Sequence, residues 1–163
     1  AMGEMRRMLS LLRTGDPTGV EPQPGIARLE DLVVEARSTG LPVSLSVTGS
    51  ATGPLDPSAG LGLTVYRLVQ EALTNARRHG GTVSRVDVRV HRAQDRLEVE
   101  VLDDGDGPST PADSSEPSPG SPGHGLVGMR ERVASHGGTL ETGPRADGGF
   151  RVRAVLPIRN GEP

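Results

Sequence analysis

The 163-residue chain contains no cysteine, which rules out a disulfide framework, a thiolate metal site and a cysteine nucleophile. It has no lysine either, all 18 basic residues being arginine, a bias that reads as genome composition. Tryptophan is absent and Tyr and Phe occur once each, so the core has to be built from Leu, Val and Ala. No apolar run approaches the ~18 residues of a membrane-spanning helix, and no secretory signal pattern opens the chain; a soluble, unexported polypeptide is expected. The formal charge of −3 and pI near 5.8, with no basic cluster, argue against a nucleic-acid partner. The four histidines, His79, His91, His124 and His136, are scattered, and none pairs at metal-ligand spacing.

What is present suits one domain with its disorder confined to segments, since 23 Gly and 14 Pro make the chain rich in these residues without making it low-complexity. Ala1-Met2-Gly3 reads as a cloning scar. Met5, Met8, Leu9 and Leu12 give residues 5–13 a short apolar helical stripe that needs a partner, followed by a Pro/Gly-rich linker over 15–25. Helical periodicity resumes through Ile26, Leu29, Leu32, Val33 and Ala36 and ends at Gly40. Leu41 to Val47 alternates as a strand.

The most informative stretch is Val65–Gly80, V-Y-R-L-V-Q-E-A-L-T-N-A-R-R-H-G. Val65, Leu68, Val69, Ala72, Leu73 and Ala76 share one helical face, Gly80 stands where a helix ends, and Asp56-Pro57 stands where its start can be capped. At 100° per residue, Glu71, Asn75, Arg78 and His79 form a second stripe along the flank of that face. A solvated edge and a ligand groove are both compatible with that stripe alone.

Two strands follow, Ser84 to His91 and Leu97 to Leu102, with valines and leucines on one face and R-A-Q-D-R as a hairpin turn between them. The second runs straight into Asp103-Asp104-Gly105-Asp106-Gly107. Residues 108–123 carry no apolar side chain larger than Ala, so burial cannot order them; lying between two glycine clusters, the segment reads as a mobile lid. Gly123-His124-Gly125-Leu126-Val127-Gly128-Met129 then opens a helix carrying Leu126, Met129 and Val133 that ends at Gly137-Gly138. Glycines there let backbone N–H groups approach a phosphate at a helix N-terminus. A dinucleotide fingerprint is disfavoured because the cluster follows a loop where that fold needs a strand. His124 can equally be a helix cap, His136 the residue before a Gly C-cap, and Asp103-Asp104-Gly105 a strand-end turn. Strands over 139–142 and 150–156 close the chain.

Three motifs in order, Arg67–His79 (R-L-V-Q-E-A-L-T-N-A-R-R-H), Asp103–Gly107 (D-D-G-D-G) and Gly123–Arg132 (G-H-G-L-V-G-M-R-E-R), resemble the GHKL ATPase superfamily. Within it they resemble the catalytic ATP-binding domain of two-component sensor histidine kinases, in particular the NarL-type kinases common in actinobacteria. The resemblance spans residues 26–157 and takes in residues 5–13 as the end of a dimerisation helix. It implies an α+β fold of the Bergerat type: a two-layer α/β sandwich whose mixed, largely antiparallel sheet of about five strands has helices on one face. It divides the chain into scar and helix remnant (1–14), linker (15–25), catalytic domain (26–158, with the ATP lid at 104–123) and tail (159–163).

By the same resemblance the cofactors are ATP and Mg²⁺. Asn75 is a Mg²⁺ ligand and Glu71 acts beside it through metal-bound water; Arg78 and His79 lie near the phosphates, and Asp103 accepts a hydrogen bond from the adenine amino group. Gly105 and Gly107 match the first glycine motif, and Gly123, His124, Gly125, Leu126 and Gly128 match the second. Where many relatives carry a Thr whose hydroxyl supports the adenine-binding aspartate, this chain has Phe150, so that contact is lost or replaced. The phosphoacceptor histidine and the base that activates it are expected outside this chain, so no catalytic residue is assigned and the polypeptide is expected to be a fragment unable to phosphorylate itself.

The implied partners are the dimerisation and phosphoacceptor domain of the same kinase and a downstream response regulator, with a homodimeric, cytoplasmically exposed whole protein whose membrane anchoring stays open. Two other classes are carried forward: a degenerate nucleotide-binding or interaction module without phosphotransfer, and an anti-sigma-type serine kinase of the same superfamily. The leading helix and the G-H-G-L-V-G-M-R-E-R run disfavour the latter.

Overall fold

The computed structural model describes residues 24–49, 58–106 and 122–158. A 3-10 turn at Ile26–Arg28 leads into helix α1 (Leu29–Ser38), strand β1 (Val43–Gly49) and helix α2 (Ala59–His79). Strands β2 (Val86–Arg92) and β3 (Arg96–Asp103), helix α3 (Pro122–Ser135) and strands β4 (Thr139–Pro144) and β5 (Phe150–Pro157) follow. Of the apolar positions expected from periodicity in α1, Ile26, Leu29, Leu32 and Val33 are buried and Ala36 is half-buried against the core. The first of them sits in the 3-10 turn and not in the helix proper. Gly40, at φ 94°, closes the helix with backbone bonds from Gly40 N–H to Arg37 O and Leu41 N–H to Ala36 O, a left-handed stop that glycine adopts without strain.

Helix α2 carries the layer. Leu61, Val65, Leu68, Val69, Ala72, Leu73 and Ala76 are buried along one side of it. Its cap is Ser58, whose hydroxyl accepts from Leu61 N–H at 3.2 Å, and not the expected Asp56-Pro57, which lies outside the described residues. Arg77, Arg78 and His79 occupy the last turn, where positive charge complements the C-terminal end of the helix dipole.

The five strands form one sheet in the order β1-β2-β3-β5-β4. β1 runs parallel to β2 and every other neighbour is antiparallel, so α2 is the crossover that the one parallel pair requires. Period-two alternation puts Val86, Val88 and Val90 of β2, Leu97, Val99 and Val101 of β3, and Val152, Ala154 and Leu156 of β5 in the core, all buried. The other face carries charge. Arg89 pairs with Glu100 at 3.4 Å, Arg151 with Glu100 at 2.9 Å, and Arg153 with Glu98 at 3.5 Å. Helices cover one face of this mixed α+β sheet and water the other, as the resemblance implies.

The helix expected over residues 5–13, the linker up to residue 23, most of the lid and the tail at 159–163 lie outside the described residues. No described helix is long and apolar enough to cross a membrane.

The two faces separate in their response to substitution. Leu68→Ala, at 1% exposure, is expected to destabilise the fold by about 2–5 kcal/mol through lost transfer energy and a cavity, whereas Arg89→Ala on the open face costs about 1 kcal/mol or less. Urea denaturation of the two variants checks this, and equal losses would mean that the sheet's outer face is not solvated.

Candidate nucleotide site

The second stripe of α2 supplies one wall. Glu71 and Asn75, one helical turn apart, are half-buried, as is His79, while Arg78 is exposed. The Asn75 amide nitrogen is fully buried and has no hydrogen-bond partner among the described residues. A buried polar atom left unsatisfied costs about 1–3 kcal/mol, which an idle structural residue has no reason to retain. Glu71 carries no ion pair among the described residues, and its carboxylate lies against Gly125 in the first turns of α3, so closely that a Cβ at Gly125 would overlap it. The second glycine motif is thereby brought onto the α2 stripe.

The other glycines of that motif differ among themselves. A Cβ at Gly128 would meet nothing within 4 Å, so packing does not demand glycine there. Leu126 is half-buried and packs against the hydrophobic core, to which Met129 and Val133 also belong. Gly123 and His124 lie in the first turn of α3, and Gly107 falls outside the described residues.

At the end of β3 the three aspartates take separate tasks. Asp104 accepts from Ser84 N–H and Arg85 N–H at 2.9 Å each and from the Ser84 hydroxyl. Asp106 accepts from Thr82 N–H at 2.6 Å. These two fasten the loop between α2 and β2 to the exit of β3. Asp103 is buried; its Oδ1 accepts from Gly105 N–H at 3.0 Å and Phe150 N–H at 3.3 Å, and among the described residues Oδ2 accepts nothing. The strand-end-turn reading therefore holds for Asp104, and Asp103 is the one buried aspartate of the three, with an unused acceptor. The Phe150 side chain offers no hydroxyl to Asp103, and the contact made from this position is its backbone amide.

Gly105 explains how this cluster reaches α2, because a Cβ there would overlap the Gly80 carbonyl at the helix's C-terminal end. Two groups that sequence reasoning passed over belong here. The Arg145 guanidinium donates to the Asp103 carbonyl at 3.0 Å, and Ser84 and Arg85 hold Asp104. The turn P-R-A-D-G-G carries no signal of the first, and only a loop amide's partner could have betrayed the second.

The remaining histidines are structural. His136 precedes Gly137 at φ 76°, with Gly138 N–H bonded to Val133 O at 2.9 Å, and its ring shares a 3.0 Å hydrogen bond with the buried Thr64 of α2. His91 pairs with Thr48 on the exposed face. A cleft of about 320 Å³ lined by Arg85, Asp87, Arg89, Asp104 and Arg145 includes neither Glu71 nor Asn75, and its arginines are occupied by acidic or carbonyl partners.

No group of three or more His, Asp or Glu that could by itself cage a metal occurs among the described residues. A Glu and an Asn one turn apart instead suit a hard cation that takes most of its oxygens from phosphates and water. The unsatisfied Asn75 amide and the unpaired Glu71 carboxylate fit that group.

A family profile described as "Histidine kinase-, DNA gyrase B-, and HSP90-like ATPase" matches residues 60–160. The chain is 32% identical over 162 residues to the sensor histidine kinase LnrJ of Bacillus subtilis, covering 98% of this chain and 36% of that protein. It is 32% identical over 140 residues to the sensor histidine kinase YxjM of the same organism, covering 85% and 31%. The chain thus spans about a third of the length of these curated relatives. Among solved structures, the histidine kinase domain of the Escherichia coli osmosensor EnvZ matches with a TM-score of 0.58 and 23% identity, covering 90% of this chain and 95% of that one. A blue-light activated histidine kinase of Erythrobacter litoralis matches with a TM-score of 0.56 and 25% identity, covering 85% and 47%.

Asp104 makes the fold pH-sensitive. The Ser84 hydroxyl above all, with the Arg85 and Ser84 amides, holds its carboxyl below the ordinary range against an opposing push from partial burial. A depressed folded value stabilises the fold above about pH 4 and loses that contribution as pH falls through the folded value. The difference in melting temperature between the parent and Asp104→Asn is therefore expected to shrink as the pH is lowered from about 6 to about 3. A difference that stays constant across this range would show that the carboxylate titrates as it does in the unfolded chain.

Proposed function

Because the chain belongs to the family of histidine kinase-, DNA gyrase B- and HSP90-like ATPases, and within it matches sensor histidine kinases, we propose that it binds Mg-ATP between α2 and α3. In this reading it presents the γ-phosphate to a histidine on the dimerisation domain of the same kinase, from which a response regulator takes it. The observation that carries the reading is the buried, unsatisfied Asn75 amide one turn from the unpaired Glu71 carboxylate. Rotation of the amide by half a turn places its oxygen where its nitrogen lies, so that Asn75 and Glu71 together offer oxygens to one cation. Mg²⁺ held there would supply positive charge that offsets the charge of the phosphates.

The residues of the chain supply position and charge. Asp103 holds one carboxylate oxygen fixed by two backbone amides and leaves the other to accept from the adenine amino group; guanine, with an oxygen there, would leave that acceptor unpaired. Gly123, Gly125 and Gly128 bring the N-terminal amides of α3 toward the phosphates, and His124 stands among them. Arg78 and His79 add donors at the end of the groove, and Gly105 and Gly107 carry the chain out of it. No residue acts as base, because proton removal from the acceptor histidine belongs to the domain that carries it.

Titration calorimetry with ATP, with and without Mg²⁺, tests the reading. Asn75→Ala is expected to weaken Mg-ATP by about tenfold or more, the size of one lost charge-assisted contact, with the fold intact because the side chain lies off the apolar face. Unchanged affinity in a folded variant would reduce the stripe to a solvated edge. Asp103→Ala should bring the ATP and GTP affinities together; the parent ratio persisting in this variant would refute the adenine assignment. Gly125→Ala, which displaces the Glu71 carboxylate, should reduce the gain in affinity that Mg²⁺ confers, and a full Mg²⁺ effect would remove Glu71 from the cation's surroundings.

A further inference from the structure

The hairpin between β4 and β5 reaches across to the end of β3, and its contacts there converge on one residue. Arg145 N–H bonds Gly149 O at 2.9 Å and Gly148 N–H returns to Arg145 O at 3.2 Å, a tight turn whose Gly148 and Gly149 stand at φ 96° and 94°. That conformation is open to glycine and strained in other residues. The turn folds the Arg145 side chain back over the sheet, where one guanidinium nitrogen donates to the Asp103 carbonyl at 3.0 Å and another meets Asp147 at 3.2 Å.

Gly149 passes so close to the same carbonyl that a Cβ there would overlap it, and the next residue, Phe150, donates its amide to Asp103 Oδ1. The β3–β5 ladder stops one residue short, at the pair Leu102 and Arg151. Asp103 is therefore held on this side by the hairpin turn and not by strand pairing with β5.

We infer that Arg145 is a positioning residue for base recognition: by fixing the Asp103 carbonyl it fixes the direction of the free carboxylate oxygen, and so sets the preference for an adenine over a guanine nucleotide. The inference rests on the assignment of Asp103 to the base. Side-chain exposure separates the two contacts of the guanidinium. Arg145 is 26% exposed and Asp147 is 74% exposed. The Arg145–Asp147 pair is thus a surface pair of small weight, and the bond to the Asp103 carbonyl is the one that a buried acceptor depends on. Asp104 remains held by Ser84 and Arg85 without Arg145, so removing the guanidinium frees Asp103 without unfastening the loop between α2 and β2.

The test compares parent, Arg145→Ala, Arg145→Lys and Asp147→Ala by titration calorimetry with Mg-ATP, Mg-GTP and Mg-tripolyphosphate, the last having phosphates and no base. Arg145→Ala is expected to lower ATP affinity by about tenfold and to narrow the ATP-to-GTP ratio, with tripolyphosphate binding unchanged. Arg145→Lys, which keeps one donor, should recover part of the ratio, and Asp147→Ala should leave it at the parent value. A merely structural role would weaken ATP and tripolyphosphate together, and that result, or a parental ATP-to-GTP ratio in Arg145→Ala, overturns the inference. A parent that binds tripolyphosphate without preferring ATP over GTP removes the assignment of Asp103 and the inference with it. Should Arg145→Ala fail to fold, a lysine variant with the full parental ratio beside an unchanged melting temperature supports retention of the clamp, and an unfolded lysine variant makes Arg145 a structural residue and overturns the inference.

Discussion

The arrangement depends on one close approach. The backbone leaving β3 passes against the last carbonyls of α2 at a distance that only a residue without Cβ permits, with Gly105 on the Gly80 carbonyl. A strand end and a helix end are thereby joined at a point where each brings its own chemistry: the strand delivers Asp103, and the helix delivers the flank that holds Glu71 and Asn75. Asp104 and Asp106 fix the same junction from the outside by bonding to amides of the α2–β2 loop. Leu68, Val69 and Ala72 of α2 are buried in the same core as the valines of β2 and β3.

Around this junction the chain separates two kinds of surface. The inner face of the sheet is aliphatic throughout, as a chain with no Trp and single Tyr and Phe residues has to make it, and close packing of β-branched side chains does the work that aromatic rings do elsewhere. The outer face is held in register by arginines alternating with glutamates across β2, β3 and β5. Such pairs contribute little energy each, but they keep a broad, one-sided sheet in water without an exposed apolar patch. β1 is the partial exception, its burial fading from Val43 to Val47 as the strand leaves the cover of the helices.

Much of this was legible from residue order alone, for identifiable reasons. The core positions of α2 follow from 3.6-residue spacing, and all six expected there are buried; the alternation in β2 and β3 likewise fixes their inner faces. The stripe of Glu71 and Asn75 was visible as geometry on a wheel, although its choice between solvated edge and site needed the orphaned amide. What sequence reasoning missed are contacts made by groups that every residue has or by turn residues with no pattern. Ser58 took the cap because one hydroxyl at the right backbone angle suffices, and Asp56-Pro57 just before it looked equally good. The bond from Phe150 to Asp103 uses a backbone amide, which every residue but proline carries, so the identity of the side chain gives no sign of it. Arg145 is distant from Asp103 in sequence and reaches it only because two left-handed glycines turn its hairpin back.

Gly149 carries a consequence for how such a site can change over generations. Its backbone lies against the Asp103 carbonyl and its φ of 94° is one that side chains resist, and Gly105 is equally hemmed in from the other side. A side chain at either position would have to displace the backbone it meets, while Phe150 contributes to the aspartate through its amide and not its ring. Variation in nucleotide preference among descendants of this chain is therefore channelled into side chains that surround a backbone frame which itself cannot evolve piecemeal.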